Sequence, residues 1–109
     1  GADPKNTPWS YHNGGSWPVF LWLLAAAGQH RGQAELARAA VARAAERLPA
    51  TEWAEYFDGR RGRLVGKEAR RYQTWTVAGA LLADRLLADA SLLDAMTFAE
   101  EVAPEPCAI

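Results

Sequence analysis

The chain has one cysteine, one methionine, two histidines and no excess of either charge. With Cys107 alone, no internal disulfide can form, which a reducing compartment would suit. His12 and His30 do not stand at metal-ligand spacing, and His30 lies in the turn Gly28-Gln29-His30-Arg31-Gly32, so neither points to a metal site. Twelve basic residues against thirteen acidic ones leave a net charge of −1. That balance argues against electrostatic binding to nucleic acid or to an anionic membrane. The longest apolar run, Val19 to Ala27, is too short to span a bilayer, and the polar opening residues do not read as a signal peptide. No GK[ST] or GxGxxG pattern follows any glycine pair, which removes the common phosphate-binding loops. No internal repeat is evident.

What is present is a globular composition. Half of the 109 residues are hydrophobic and 23% are charged, enough for one domain at most and a modest core. The chain opens inside an irregular segment without an initiator Met, which reads as the C-terminal end of something longer. Five tryptophans are unusual at this length, and several stand beside polar groups.

The run Asn6 to Pro18 is too polar, and too broken by Pro and Gly, for a helix or a strand. It carries Trp9, Tyr11, His12, Asn13 and Trp17. Aromatic faces mixed with hydrogen-bonding groups suit a polar ligand that also has apolar faces, such as a sugar. Gly14-Gly15 allows close backbone approach. His12 is a candidate base or orienting donor, and with Asn13 reads better as a hydrogen-bonding wall.

Three helices follow from periodicity. Ser16 is a good N-cap, with Pro18 in the first turn of a helix from about Trp17 to Ala27. That helix is apolar nearly all round, so it is expected to be buried on most sides, with Gly28 ending it. A second helix runs from Gln33 to Leu48, with Leu36, Ala37, Ala40, Val41, Ala44 and Leu48 on one stripe and Pro49 as the stop. These two form an antiparallel hairpin. Glu52 to Tyr72 is irregular, with Arg63-Leu64-Val65 able to pair with Tyr56-Phe57. The third helix starts at Gln73 or Thr74 and reaches Ala88, with Val77, Ala78, Leu81, Leu82 and Leu86 as its apolar face and Gly79 permitting close packing. Ser91 can cap a short helix through Ala95, and the tail from Thr97 reads as poorly ordered. The fold class is therefore mainly α.

Glu55 is the first candidate for chemistry. Its aromatic neighbours would desolvate a carboxylate, which suits a general acid or base. The commoner outcome for a loop carboxylate is pairing with a cation, here Arg60, Arg61, Arg63, Lys67, Arg70 or Arg71. Asp58, before Gly59, reads as a turn former. Trp9, Trp53 and Trp75 could be sugar platforms, although a Trp beside a helix is more often core. Gln73-Thr74-Trp75 stands at a helix start, where loop residues can point into a cleft.

Three blocks together carry a resemblance. Pro4 to Pro18, the run Glu55-Tyr56-Phe57-Asp58-Gly59 followed by Gly62-Arg63 and Val65-Gly66-Lys67, and Arg70 with Gln73 to Gly79 resemble the alkaline and neutral invertases, glycoside hydrolase family 100. The resemblance covers nearly everything from Pro4 to Leu87. It implies a cytosolic sucrose hydrolase with no metal or organic cofactor, built as an (α/α)6 barrel with the active site at the loop end of its helices. Residues 1–96 would be the C-terminal segment of that domain, with sucrose and the rest of the domain as partners and a homo-oligomer compatible with it. The implied reaction is inverting. Glu55 matches the family's second carboxylate, and the acid, an Asp, falls upstream of this chain. Ala54 and Phe57 replace the family's common Pro and Tyr, and neither change touches the carboxylate. His12, Asn13, Gly14, Trp17, Gln73 and Trp75 are the substrate-wall candidates. The competing reading is a non-catalytic helical module that binds carbohydrate or a partner helix. Sugar epimerisation on the same barrel would want His pairs that are missing here.

Overall fold

The structure is a computed structural model describing residues 3–97. Its order is a 3-10 turn at Pro18–Phe20, α1 at Leu21–His30, α2 at Ala34–Ala50, α3 at Thr74–Ala88 and a 3-10 turn at Ala90–Ala95. Isolated β-bridges are present, but no strand occurs among the described residues. The mainly helical class is as the sequence implies.

α1 and α3 run parallel. Val19 meets Gly79 near their starts, and Gln29 Nε2 donates to the Leu86 and Leu87 carbonyls at 2.9 and 3.3 Å near their ends. α2 runs back against both: Gly28 packs on Ala37, and Arg38 Nη1 donates to the Leu87 carbonyl at 3.0 Å. The first two helices thus form the antiparallel hairpin read from the sequence. One core cluster gathers Ala25, Ala37, Ala83, Leu86 and Leu87 between the three helices. A second, of Leu48, Ala54 and Phe57, joins the helices to the loop before α3. These clusters put the two irregular segments on one end of the helix pair.

The boundaries and faces differ from the sequence reading in instructive ways. Ser16 does not cap α1. Its backbone is committed to Phe57 instead, through hydrogen bonds of 2.9 and 2.8 Å; Trp17 caps the 3-10 turn and Phe20 stands at the cap of α1, neither with a side-chain bond. Gly28 does not end α1, which continues to His30, and Gly32 at φ +68° makes the turn. A Cβ at Gly28 would lie 2.9 Å from that of Ala37, so this glycine serves helix packing rather than termination. Pro49 lies inside the last turn of α2, which closes one residue later at Ala50. There Thr51 Oγ1 donates to the Arg47 and Leu48 carbonyls at 2.9 and 3.2 Å.

The apolar faces are also displaced. In α1 only Ala25 is fully buried, while Leu23 and Leu24 are exposed, as is Phe20 just before it, by 57%. In α2 Leu36 is exposed, and Ala37 and Leu48 are buried. In α3 the buried set is Thr76, Gly79, Ala83, Leu86 and Leu87, and Leu81 is 62% exposed. The cause is shape. The molecule is 21 Å through its thinnest direction, about two helix diameters, so each helix has neighbours on one side only. Where α1 meets α3 the approach is too close for large side chains, and small residues occupy the contact.

The pairing of Phe57 with Val65 is present as a single antiparallel bridge, with Asp58 N–H to Leu64 O at 2.8 Å and Gly66 N–H to Tyr56 O at 2.9 Å. Asp58 is a turn former as read: its Oδ1 accepts the Arg61 N–H at 3.0 Å. The last 3-10 turn is capped by Asp89 rather than by Ser91, which donates its N–H and Oγ–H to Asp89 Oδ1 at 3.0 and 2.6 Å. Residues 98–109, most of the tail expected to be poorly ordered, lie outside the described residues.

Two predictions follow from these contacts. A Cβ at Gly79 would stand 2.5 Å from the Val19 carbonyl oxygen and 2.9 Å from its Cα, both backbone atoms that cannot swing away. Gly79→Ala gains about 1 kcal/mol of helix propensity but incurs about 1–3 kcal/mol of overpacking. Urea titration is expected to show net destabilisation, and a stabilised variant would refute the close approach. Second, the Ser91 hydroxyl and then the Ser91 N–H, with a smaller contribution from Arg85, hold the Asp89 carboxyl below its usual range. A lowered value means the cap is complete above the unfolded value and is lost as the pH falls through the folded one. The Ser91 amide resonance is therefore expected to hold constant from neutral pH down to about pH 4 and to move only below it.

Candidate active site

Because α1 and α3 are parallel and adjacent, the segments that lead into them arrive side by side. The first loop, 3–17, and the second, 52–73, are bound to each other by backbone. Besides the Ser16–Phe57 pair, Gly59 N–H donates to Trp9 O at 2.8 Å. Lys67 Nζ reaches across to the Pro4 carbonyl at 3.0 Å. The second loop is closed at its base by Tyr72 N–H to Glu52 O at 2.7 Å and Gln73 N–H to Trp53 O at 3.1 Å. The buried Thr76 hydroxyl anchors it to the first turn of α3 through Ala54 O at 3.1 Å.

Among the described residues, six that are not glycine have left-handed backbone: Trp9, Tyr11, Glu52, Trp53, Glu68 and Tyr72. All six lie in these two loops. Such conformations cost of order 1–3 kcal/mol each and persist only where surrounding contacts over-determine them. The concentration of strain marks this end of the molecule as the one whose shape is specified for more than packing.

Glu55 sits at the centre of the second loop, only 7% exposed. Its N–H donates to Arg70 O at 2.8 Å, and its Oε2 accepts the Arg70 N–H at 3.1 Å. None of the nearby cationic side chains pairs with it. The ion pairs among the described residues are Arg38–Glu35 and Arg71–Glu52. Oε1 accepts no hydrogen bond from the described residues. The carboxylate is thus tethered by one oxygen, with no such bond at the other.

Glu55 also lines a cleft of about 490 Å³, together with Lys5, Tyr11, Arg70, Gln73, Thr74, Trp75 and Ala78. An adjoining hollow of about 310 Å³ is lined by His12, Trp17, Val19, Phe20 and Trp75. Trp75 forms part of both. His12 stacks on Trp17 at 5.5 Å, Trp17 stacks on Tyr56 at 5.1 Å, and Trp75 meets Trp17 edge-on at 5.7 Å. Another depression of about 320 Å³, between α1, α2 and the loops, includes Arg43 and Arg47 but no carboxylate and is separate from Glu55.

Four of the six wall candidates, His12, Trp17, Gln73 and Trp75, border these two hollows. Asn13 and Gly14 border neither. Asn13 closes a tight turn through Asn13 N–H to Ser10 O at 2.9 Å and Trp9 N–H to Asn13 O at 2.8 Å, and Gly14 supplies its φ of +97°. Trp9 is exposed away from both hollows, and Trp53 packs against the second core cluster. Sequence reasoning named Thr74 within the run Gln73-Thr74-Trp75 at a helix start, did not single out Lys5, and took Tyr11 no further than its place in the first loop. Arg70 was weighed as a cation and as part of the third block, whereas its main chain is what holds Glu55. No group of His, Cys, Asp and Glu among the described residues could hold a metal ion.

An aromatic wall beside a tethered carboxylate can hold a polar ring by its apolar face and bring a proton-accepting oxygen to it. Residues 1–90 match the family model described as alkaline and neutral invertase, and the chain belongs to that family. It is 53% identical over 106 residues to Cytosolic invertase 1 of Oryza sativa subsp. japonica, covering 97% of this chain and 19% of that protein. It is 59% identical over 87 residues to Alkaline/neutral invertase C, mitochondrial, of Arabidopsis thaliana, covering 80% of this chain and 13% of that protein. Against Alkaline/neutral invertase E, chloroplastic, of the same plant it is 50% identical over 101 residues, covering 93% and 16% respectively. The chain thus spans about a fifth or less of the length of these relatives.

Proposed function

We propose that this chain is the C-terminal portion of an invertase that hydrolyses sucrose to glucose and fructose with inversion, and that Glu55 is its general base. The observation that carries the reading is the state of Glu55: buried, held by backbone rather than by a cation among the described residues, and lining a cleft beside Trp75. In an inverting hydrolysis the base takes a proton from water as that water attacks the anomeric carbon. A second carboxyl group about 6.5–9.5 Å away protonates the leaving oxygen. The acid is an Asp outside this chain.

The wall divides its work. Gln73 and Trp75 flank the Glu55 cleft, and His12 and Trp17 extend the surface on which a second ring can lie. Asn13 and Gly14 contribute by shaping the turn that carries His12. The parallel α1 and α3, each entered by a functional loop, with α2 returning between them, are consistent with the alternating helices of an (α/α)6 barrel. The rest of that barrel would cover the apolar residues left exposed here, Leu23, Leu24, Leu81 and Leu82. A cytosolic location belongs to the same proposal, supported by the name of the rice relative.

In the full-length enzyme, Glu55→Gln is expected to keep the fold, because the amide oxygen still accepts the Arg70 N–H. Sucrose hydrolysis should fall by about 10²–10⁴-fold, the range for losing a general base. Activity within a few-fold of wild type, in a protein with an unchanged melting profile, rejects the assignment. The 109-residue chain alone, lacking the acid, is expected not to release glucose from sucrose, and measurable turnover by it would refute the division of the carboxylate pair.

A further inference from the structure

Tyr56 is adjacent in sequence to Glu55 but faces the other way. It is the largest fully buried side chain, 0% exposed. Its ring is wedged between the backbones of two loops. A Cβ at Gly66 would collide with the ring, and one at Gly15 would come within 2.9 Å of its Cδ2. Trp17 stacks on it, and Tyr11 meets it edge-on at 5.6 Å.

The hydroxyl has a defined direction of donation. Its oxygen lies against the Lys67 carbonyl, which can only accept, so the Tyr56 O–H donates there. The Ser10 hydroxyl, 3.1 Å away, must then donate to Tyr56 Oη. One buried oxygen therefore joins the first loop, the second loop and the strap from Gly66 to Arg70.

That strap ends at the Glu55 carboxylate. Tyr56 O accepts the Gly66 N–H at 2.9 Å and holds the beginning of the strap. The Tyr56 hydroxyl holds its next residue, Lys67. A turn follows, with Ala69 N–H to Gly66 O at 3.1 Å and Glu68 at φ 54°. The strap then presents the Arg70 N–H to Glu55 Oε2. The left-handed Glu68 is a strained link that relaxes when one of its flanking restraints is removed.

We propose that the Tyr56 hydroxyl is a positioning group for the Glu55 carboxylate: it pins the Lys67 carbonyl and so sets where the Arg70 N–H holds Oε2. This rests on the reading of Glu55 as the base. Tyr56 touches no substrate. The ring and the hydroxyl have separate duties, the ring backing Trp17 in the wall and the hydroxyl fixing the carboxylate, and a single variant separates them.

Tyr56→Phe in the full-length enzyme keeps the ring and deletes the hydroxyl. A displacement of a reacting group by around 1 Å costs about a hundredfold, so kcat on sucrose is expected to drop about ten- to a hundredfold while KM stays within about twofold. A stability role alone would lower the melting temperature and leave kcat of the folded enzyme unchanged. An unchanged kcat, or a KM raised as much as kcat is lowered, overturns the proposal. Should Tyr56→Phe fail to fold, Ser10→Ala decides. It removes only the donor to Tyr56 Oη, worth about one hydrogen bond, and is expected to lower kcat about two- to fivefold at constant KM. Wild-type kinetics in that variant then overturn the proposal. Glu55→Gln measured alongside separates the two readings. If it stays active, the base is elsewhere. If it is inactive while Tyr56→Phe is fully active, only the positioning role falls.

Discussion

Ser16 and Phe57 exchange two backbone hydrogen bonds, and the arrangement of the candidate site depends on that exchange. Ser16 stands just before α1, and Phe57 is two residues beyond Glu55. The pair fixes the start of one helix to the carboxylate-bearing loop of the other. Phe57 is also part of the second core cluster, and Arg47 of α2 lies over its ring at 4.9 Å. The same residue therefore ties the site to both the hydrophobic interior and the returning helix. With the two loops locked together, Trp17 can stack on Tyr56, and Trp75 can close the wall from α3.

The close contact of α1 and α3 supplies the other half of the constraint. Two helices whose starts must be adjacent, so that their loops converge, have to approach along their first turns. Gly79 against the Val19 backbone, and Ala25 with Ala83 in the core, allow this. Large side chains at these places would separate the helix starts and pull Trp75 from Trp17. The small residues in the helices and the strained residues in the loops thus serve the same geometry. The helices give up bulk at their contact, and the loops accept left-handed backbone at Trp9, Tyr11, Glu52, Trp53, Glu68 and Tyr72.

This also explains which parts were legible in the sequence. The three helices were readable from spacing because periodicity survives whichever face is buried. The faces were legible in part. Ala37, Leu48 and Leu86 lie on the expected stripes and are buried, and Gly79 makes the close contact its size permits, whereas Leu36, Leu81 and Leu82, which periodicity weights by their bulk, are exposed and Ala83 takes the buried place. Gly28 looked like a stop because a glycine at a helix end and a glycine in a helix contact are the same letter. Ser16 looked like a cap because its residue type suits one, and its partner Phe57, forty-one positions later, is invisible to local rules. Glu55 was legible from its block, and so was its alternative, a cation pair. The cation pair does not form among the described residues: the choice of partner falls to the main chain of Arg70, which has no sequence signal because any non-proline residue supplies the same N–H.

Two carboxylates three residues apart show what that decision does physically. Glu52 is 54% exposed along its side chain and lies 3.6 Å from the Arg71 guanidinium. Its charge is balanced by a partner half open to solvent, and such a pair contributes little and reacts poorly, since the cation competes for the lone pairs a proton would need. Glu55 is buried, yet no cation among the described residues pairs with it. An N–H dipole from a fixed backbone holds one oxygen without cancelling the charge, and the other oxygen accepts no hydrogen bond from the described residues. A guanidinium in that place would satisfy the burial requirement equally well and occupy the oxygen that would accept a proton in the role proposed for Glu55. Tethering by backbone is therefore the arrangement that lets a carboxylate be both buried and available. It requires a strap of fixed shape, and the contacts around Tyr56, Gly66 and Lys67 hold that strap where the carboxylate needs it.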